Sequence, residues 1–180
     1  MNEPQAKKYL EEIIPREYFN IYKECKGDIQ FIKPIKQLYI KWKKTKIPEY
    51  LKIDYILEPT EKLIDAGWEL GCIGVEVKRT NERMYGKILS QIFDYQNCFF
   101  KLPGNKNKIP LSMIFLFPYE RFYGLMASIM LQEGIGVIKP YQQQRGFDLL
   151  HGHGLYRILS VWDEGVEIHR PRFGYVIGSK

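Results

Sequence analysis

A chain of 180 residues with 45% apolar and 27% charged side chains has the composition of a soluble globular protein, and its length suits one well-cored domain over residues 1–180. The net charge of +6 and pI near 9.1 are moderate but the charge is unevenly distributed along the chain, and no Gly/Ser, Pro or single-sign tract is long enough to act as a linker. Three cysteines, Cys25, Cys72 and Cys98, with no Cys-x-x-Cys spacing argue against a disulfide scaffold, a zinc knuckle or an iron–sulfur cluster.

The opening Met1-Asn2-Glu3-Pro4-Gln5 lacks the basic-then-apolar order of a signal peptide. The most apolar stretch, 111–117, is too short to span a bilayer. These features predict a cytoplasmic protein with no membrane partner.

In chain order, Ala6, Tyr9, Leu10, Ile13 and Ile14 recur at helical spacing, and Pro15 stops that first helix. Residues 35–42 and 51–57 alternate β-branched or aromatic with polar side chains and read as two strands. Residues 69–79 form the next strand, with Gly71 or Gly74 marking a bulge or a close backbone approach. A helix over 84–100 carries Tyr85, Ile88, Leu89, Ile92, Phe93 and Phe99 on a broad apolar face, ended by Pro103-Gly104. Residues 111–117 have almost no alternation and read as a central strand buried on both faces. A helix over 121–132, a short strand over 135–138 and a terminal hairpin over 155–162 and 166–169 complete the chain. The order αβββαβαβ is that of an α/β sandwich with a mixed sheet flanked by helices.

Between Lys33 and Lys52, Lys36, Lys41, Lys43, Lys44 and Lys46 interleave with Tyr39, Trp42 and Tyr50. Such a patch suits a nucleic acid whose phosphates pair with ammoniums and whose bases stack, with Lys41, Lys43 and Lys44 as contacts. A solvated lysine-rich face is an equal reading of the same residues.

The densest chemistry lies in Cys72-Ile73-Gly74-Val75-Glu76-Val77-Lys78-Arg79. On a strand, Glu76 and Lys78 share one face while Ile73, Val75 and Val77 share the other, so a charged face is expected opposite a dry one. Asp54 on a neighbouring strand would bring a second carboxylate to Glu76. Two hard anionic oxygens suit Mg²⁺ or Mn²⁺ with retained waters and a substrate phosphate. Lys78 could then position the attacking water and offset charge developing on the phosphate. Lys87, Gln91 and Tyr95 follow at intervals of four and share a helix face. Taken alone, Gln91 would read as a solvated polar position and Tyr95 as a half-buried core aromatic.

Asp54, the Glu76-Val77-Lys78 triplet and the helical Gln91-x-x-x-Tyr95, in this order, resemble the PD-(D/E)XK nuclease superfamily, and the last motif is similar to that of its RecB-type branch. The resemblance spans residues 35–138. It implies a restriction-endonuclease-like sandwich and a Mg²⁺- or Mn²⁺-dependent nuclease acting on single- or double-stranded DNA. It further implies that Asp54, Glu76 and the Val77 carbonyl bind the metal and that Gln91 and Tyr95 lie beside the catalytic lysine, with Lys87 adding a phosphate contact. An acidic residue of the first helix often joins such sites, and Glu11, Glu12 and Glu17 are the candidates; surface glutamates of an amphipathic helix are the plainer reading. Glu58, next to Pro59, reads as an edge or turn residue. No histidine precedes residue 151, so the histidine motif of the RecB-type branch has no counterpart. His151-Gly152-His153-Gly154 reads as a glycine-rich turn before a metal pair, and His169 as part of a basic tail. A structure-selective resolvase, a restriction-type endonuclease and a non-cleaving nucleic-acid-binding module stay open, as does assembly into homo-oligomers.

Overall fold

A computed structural model describes residues 1–29, 50–79, 85–119, 135–140, 146–151, 154–159 and 167–169. The predicted strand at 35–42, the predicted helix at 121–132 and the residues Lys41, Lys43 and Lys44 lie outside them. Among the described residues, one mixed sheet of ten strands carries helices on both faces. No helix among them is long and apolar enough to cross a membrane.

The chain opens with α1 (Glu3–Ile13). Asn2 and Gln5 begin it with reciprocal bonds of 3.0 Å, each side-chain oxygen accepting from the other's backbone N–H. Such a cap stabilises a helix by about 1 kcal/mol. Ala6, Leu10 and Ile13 supply its buried stripe, and Pro15 follows its end as the sequence predicts. The first strand is β1 (Phe19–Ile29), which the sequence reading had not placed; it pairs antiparallel with β2 (Leu51–Pro59). After the short α2 (Glu61–Asp65), β3 (Ile73–Lys78) pairs antiparallel with β2, and α3 (Tyr85–Gln96) follows.

Helix α3 is shorter than its apolar face predicts. Asn97 donates from its N–H to the Asp94 carbonyl and from Nδ2 to the Phe93 carbonyl at 2.9 Å, ending the helix. Cys98–Lys101 then form β4, antiparallel to β1 and to β5 (Lys108–Pro110). The chain returns through β6 (Met113–Pro118), which lies parallel to β3 on one side and to β7 (Gly136–Pro140) on the other. β8 (Gly146–His151), β9 (Gly154–Leu159) and β10 (Glu167–His169) extend the sheet as an antiparallel run, which includes the predicted terminal pair. The sheet order is β10-β9-β8-β7-β6-β3-β2-β1-β4-β5.

The predicted double-sided burial of β6 holds: Phe115 and Phe117 pack with α1, and Ile114 and Leu116 with α3. Each such side chain stabilises the fold by roughly 1.5–3 kcal/mol. β3 is buried on both faces as well, so the expected split between a dry and a charged face is corrected. Ile73, Val75 and Val77 meet α1, whereas Glu76 faces α3 and is itself 2% exposed. Gly74 is the predicted close approach: a Cβ there would lie 2.6 Å from methyl carbons of Ile53 and Leu111. Its register with Ile56 is regular, so it is no bulge.

Candidate active site

The β2–β3 ladder runs through Leu57–Ile73, Ile56–Gly74 and Tyr55–Val75 and then stops. The next step of that register sets Asp54 opposite Glu76. There the side chains take over from the ladder: the Val77 N–H donates to Asp54 Oδ2 at 2.9 Å, and the Asp54 N–H points to Glu76 Oε2 at 3.4 Å. The β1–β2 ladder skips the same level, pairing Lys23 with Tyr55 and Cys25 with Ile53 but not Glu24 with Asp54. Glu24 has φ 51°, a left-handed conformation that costs a residue with a Cβ about 1 kcal/mol or more. Ile53 packs on the α3 side and Tyr55 on the α1 side, although residues two apart share a face of a regular strand. The backbone therefore turns at Asp54, and a carboxylate stands in the parting between strands.

Glu76 sits behind that parting with four donors around it. Lys78 Nζ is 2.8 Å and Gln91 Nε2 3.0 Å from Oε1, while the Tyr95 hydroxyl is 3.3 Å from Oε2, which also faces the Asp54 N–H. Tyr95, 1% exposed, turns its one proton chiefly to the Lys52 carbonyl at 2.6 Å, with Glu76 Oε2 the longer branch, and accepts from Gln91 Nε2. One hydroxyl thus ties α3 to both β2 and β3. Burial, followed by the neighbouring charge of Asp54, pushes the Glu76 carboxyl above its ordinary value, against the pull of Lys78. Burial and the charge of Glu76 likewise raise Tyr95, so its hydroxyl stays a hydrogen-bond donor.

The other side of the parting opens into a cleft of about 410 Å³ lined by Lys7, Lys8, Glu11, Lys23, Asp54 and Tyr55 among others. Lys7 Nζ lies 2.6 Å from Asp54 Oδ1 and 2.9 Å from Glu3 Oε1. Glu11 accepts from the Tyr55 hydroxyl at 2.8 Å and pairs with Lys23 at 2.5 Å. Burial works against the charge on Glu11, but the bonds from Lys23 and Tyr55 outweigh it and hold the carboxyl below its ordinary range.

Asp54, Glu76, Val77, Lys78, Gln91 and Tyr95 are thus brought together, Val77 through its N–H. Of the candidate glutamates, Glu11 lines the cleft and Glu12 is exposed and does not, whereas Glu17 is corrected: it lies beyond α1 in the turn before β1, exposed and away from the cleft. Glu58 is corrected: β2 lies between β1 and β3, and Glu58 accepts from the Tyr22 hydroxyl at 2.7 Å and from Asn20 Nδ2 at 3.3 Å. Lys87 is an exposed residue of the first turn of α3. Cys25, Cys72 and Cys98 are free thiols. His151 closes β8 and Gly154 opens β9, while Gly152 and His153, on which the predicted turn falls, lie outside the described residues. Lys7, Lys23 and Tyr55 were missed by sequence reasoning. Lys7 and Glu11 share a helix face at a spacing of four, the one signal that could have linked them.

Among the described residues no group of three or more His, Cys, Asp or Glu side chains converges. A pair of carboxylates nevertheless suits an ion that keeps most of its waters. Asp54 and Glu76 are neighbours across the parting, with Glu76 Oε2 3.4 Å from the Asp54 N–H, and the Lys7 ammonium already places a positive charge on Asp54 Oδ1. Comparison of the chain with family models, with curated proteins and with solved structures finds no match.

Proposed function

We propose that this chain is a metal-dependent nuclease that hydrolyses phosphodiester bonds in DNA. The observation that carries the reading is the parting of β2 and β3, where Asp54 faces Glu76, Lys78 bonds Glu76, and Gln91 and Tyr95 close the group from α3. The succession α1, β1, β2, β3, α3, β6, with α2 inserted before β3 and β4 and β5 before β6, and with β6 parallel to β3, supports a restriction-endonuclease-like core. The helical Gln-x-x-x-Tyr pair supports the RecB-type branch.

In this reading Asp54 and Glu76 would hold Mg²⁺ or Mn²⁺. Such an ion, when bound, polarises a phosphate and lowers the pKa of a coordinated water. Lys78 keeps a cation 2.8 Å from Glu76, where it offsets negative charge developing on the phosphate and orients the nucleophile. Gln91 and Tyr95 fix the rotamer of Glu76 by hydrogen bonds, so that the carboxylate needs little reorganisation. Lys8 and Lys23 add positive charge at the cleft for the substrate backbone.

A second reading, a DNA-binding module that does not cleave, is favoured by one observation: both carboxylates already have ammonium partners, Lys7 on Asp54 and Lys78 on Glu76. One experiment separates the two. The protein is incubated with linear and circular, single- and double-stranded DNA, with Mg²⁺, Mn²⁺ or chelator. Metal-dependent cleavage lost in Asp54→Asn supports the nuclease. Retention of DNA on a gel without cleavage under every condition supports the binder, and neither effect refutes both.

A further inference from the structure

We infer that Lys7 is the resident counterion of the candidate site: it neutralises Asp54 before a divalent cation enters and competes with that cation for the same carboxylate oxygen. The inference rests on the metal reading above and deepens it.

Lys7 belongs to α1 and is one turn after Glu3 and one turn before Glu11. Its ammonium is 2.6 Å from Asp54 Oδ1, while Asp54 Oδ2 is held by the Val77 N–H at 2.9 Å. Oδ1 is therefore the oxygen of Asp54 not committed to the backbone, and Lys7 occupies it. The side chain of Lys7 is 27% exposed and lines the cleft, so it has room to withdraw. It also has a place to go, since Glu3, 47% exposed and 2.9 Å away, offers a second carboxylate.

Like-charge arithmetic gives the direction of the competition. An ammonium and a divalent cation cannot share one carboxylate oxygen without repulsion, and a unit charge a few ångströms from a half-buried site acts through a reduced dielectric. Removing the Lys7 charge should therefore strengthen divalent binding, whereas a residue that merely anchors α1 to the sheet would weaken it when lost. Glu3 enters with the opposite sign. Without Glu3 as an alternative partner, Lys7 should stay on Asp54 and bind there more firmly.

The test is a titration of the full chain with Mn²⁺, with free ion measured by electron paramagnetic resonance. Lys7→Met should bind Mn²⁺ about tenfold or more tightly than the parent. Lys7→Arg, which keeps the charge, should stay near the parent. Glu3→Gln should weaken Mn²⁺ binding in the parent and have little effect in the Lys7→Met background, a coupling that a double-mutant cycle isolates. Equal or weaker Mn²⁺ binding by Lys7→Met, or a Glu3→Gln effect of the same size in both backgrounds, overturns the inference and leaves the metal reading intact. Uptake of Mn²⁺ by neither the parent nor Lys7→Met overturns the metal reading itself, and the inference with it. Should Lys7→Met fail to fold, Lys7→Gln and the Glu3→Gln single variant carry the same comparison.

Discussion

Gln91 Nε2 donates to Glu76 Oε1 at 3.0 Å across the space between α3 and β3, placing a neutral amide on the same carboxylate oxygen that Lys78 approaches at 2.8 Å. The oxygen is thereby oriented from two directions, one charged and one neutral. Gln91→Ala removes the neutral partner and leaves the charged one. The expected result is a marked fall in DNA cleavage with a stability change of about 1 kcal/mol or less, because Gln91 is only partly buried. Thermal unfolding alongside a cleavage assay separates this outcome from simple misfolding.

Tyr95→Phe should behave differently. The ring is buried against Phe100 and survives the substitution, but the Lys52 carbonyl loses its 2.6 Å donor and Glu76 loses one of its four. A loss of about 1–2 kcal/mol in stability is expected, with a smaller fall in cleavage than for Gln91→Ala. Chemical denaturation and turnover measured on the same preparation check both parts.

Lys78→Ala should lower the rate by about two to three orders of magnitude, the equivalent of roughly 2–4 kcal/mol of transition-state stabilisation. Divalent binding, measured by calorimetry, should not fall in parallel, since the variant keeps both carboxylates. A variant with normal turnover at saturating Mg²⁺ and lost metal affinity would reverse the assignment.

The bond between Tyr22 and Glu58 gives a pH dependence with a defined sign. The hydrogen bond to Glu58, followed by burial, raises the Tyr22 hydroxyl from 10.0 to about 12. The folded protein then keeps a proton that the unfolded chain releases. The contribution of Tyr22 is present in full below pH 10 and is lost as pH rises through about 12. The difference in unfolding free energy between the parent and Tyr22→Phe should shrink over that window and be flat below it.

Packing supplies a prediction independent of any activity. A Cβ on Gly136 would lie 2.2 Å from two ring carbons of the fully buried Phe115, whereas at Gly74 the nearest atoms are the terminal methyls of Ile53 and Leu111 at 2.6 Å. A ring wedged in the core gives way less readily than a methyl at the end of a side chain. Gly136→Ala should cost about 1–3 kcal/mol or more and Gly74→Ala less, as denaturant midpoints would report.

Strands β2 and β3 were legible because Ile, Val, Leu and Tyr recur along them, and β6 because its apolar run is unbroken between Pro110 and Pro118. β1 was not. After the buried Phe19 its buried positions hold only Cys25 and Gly27 among the described side chains, and the space beside Gly27 is filled by the Phe100 ring from β4, so the strand's apolar partner is written elsewhere in the sequence. The alternation is further broken at Glu24, where φ turns positive. β4 was absorbed into α3 because Phe99, an exposed residue of β4, continues the helical apolar spacing, and the stop is made by an asparagine side chain without glycine or proline. The pairing of Asp54 with Glu76 was anticipated from their strands, but the Lys7 contact joins residues far apart in the chain and depends on how α1 crosses the sheet. No local spacing encodes that angle.

The interruption of the ladder at Asp54 makes one amide an internal reporter. The Val77 N–H donates to a carboxylate oxygen where a regular sheet would offer a carbonyl, so its proton resonance and exchange rate should follow the charge state of Asp54 and the identity of the cation beside it. A nuclear magnetic resonance titration watching Val77 would then read the occupancy of the cleft in an intact protein, with no substrate present and no substitution made.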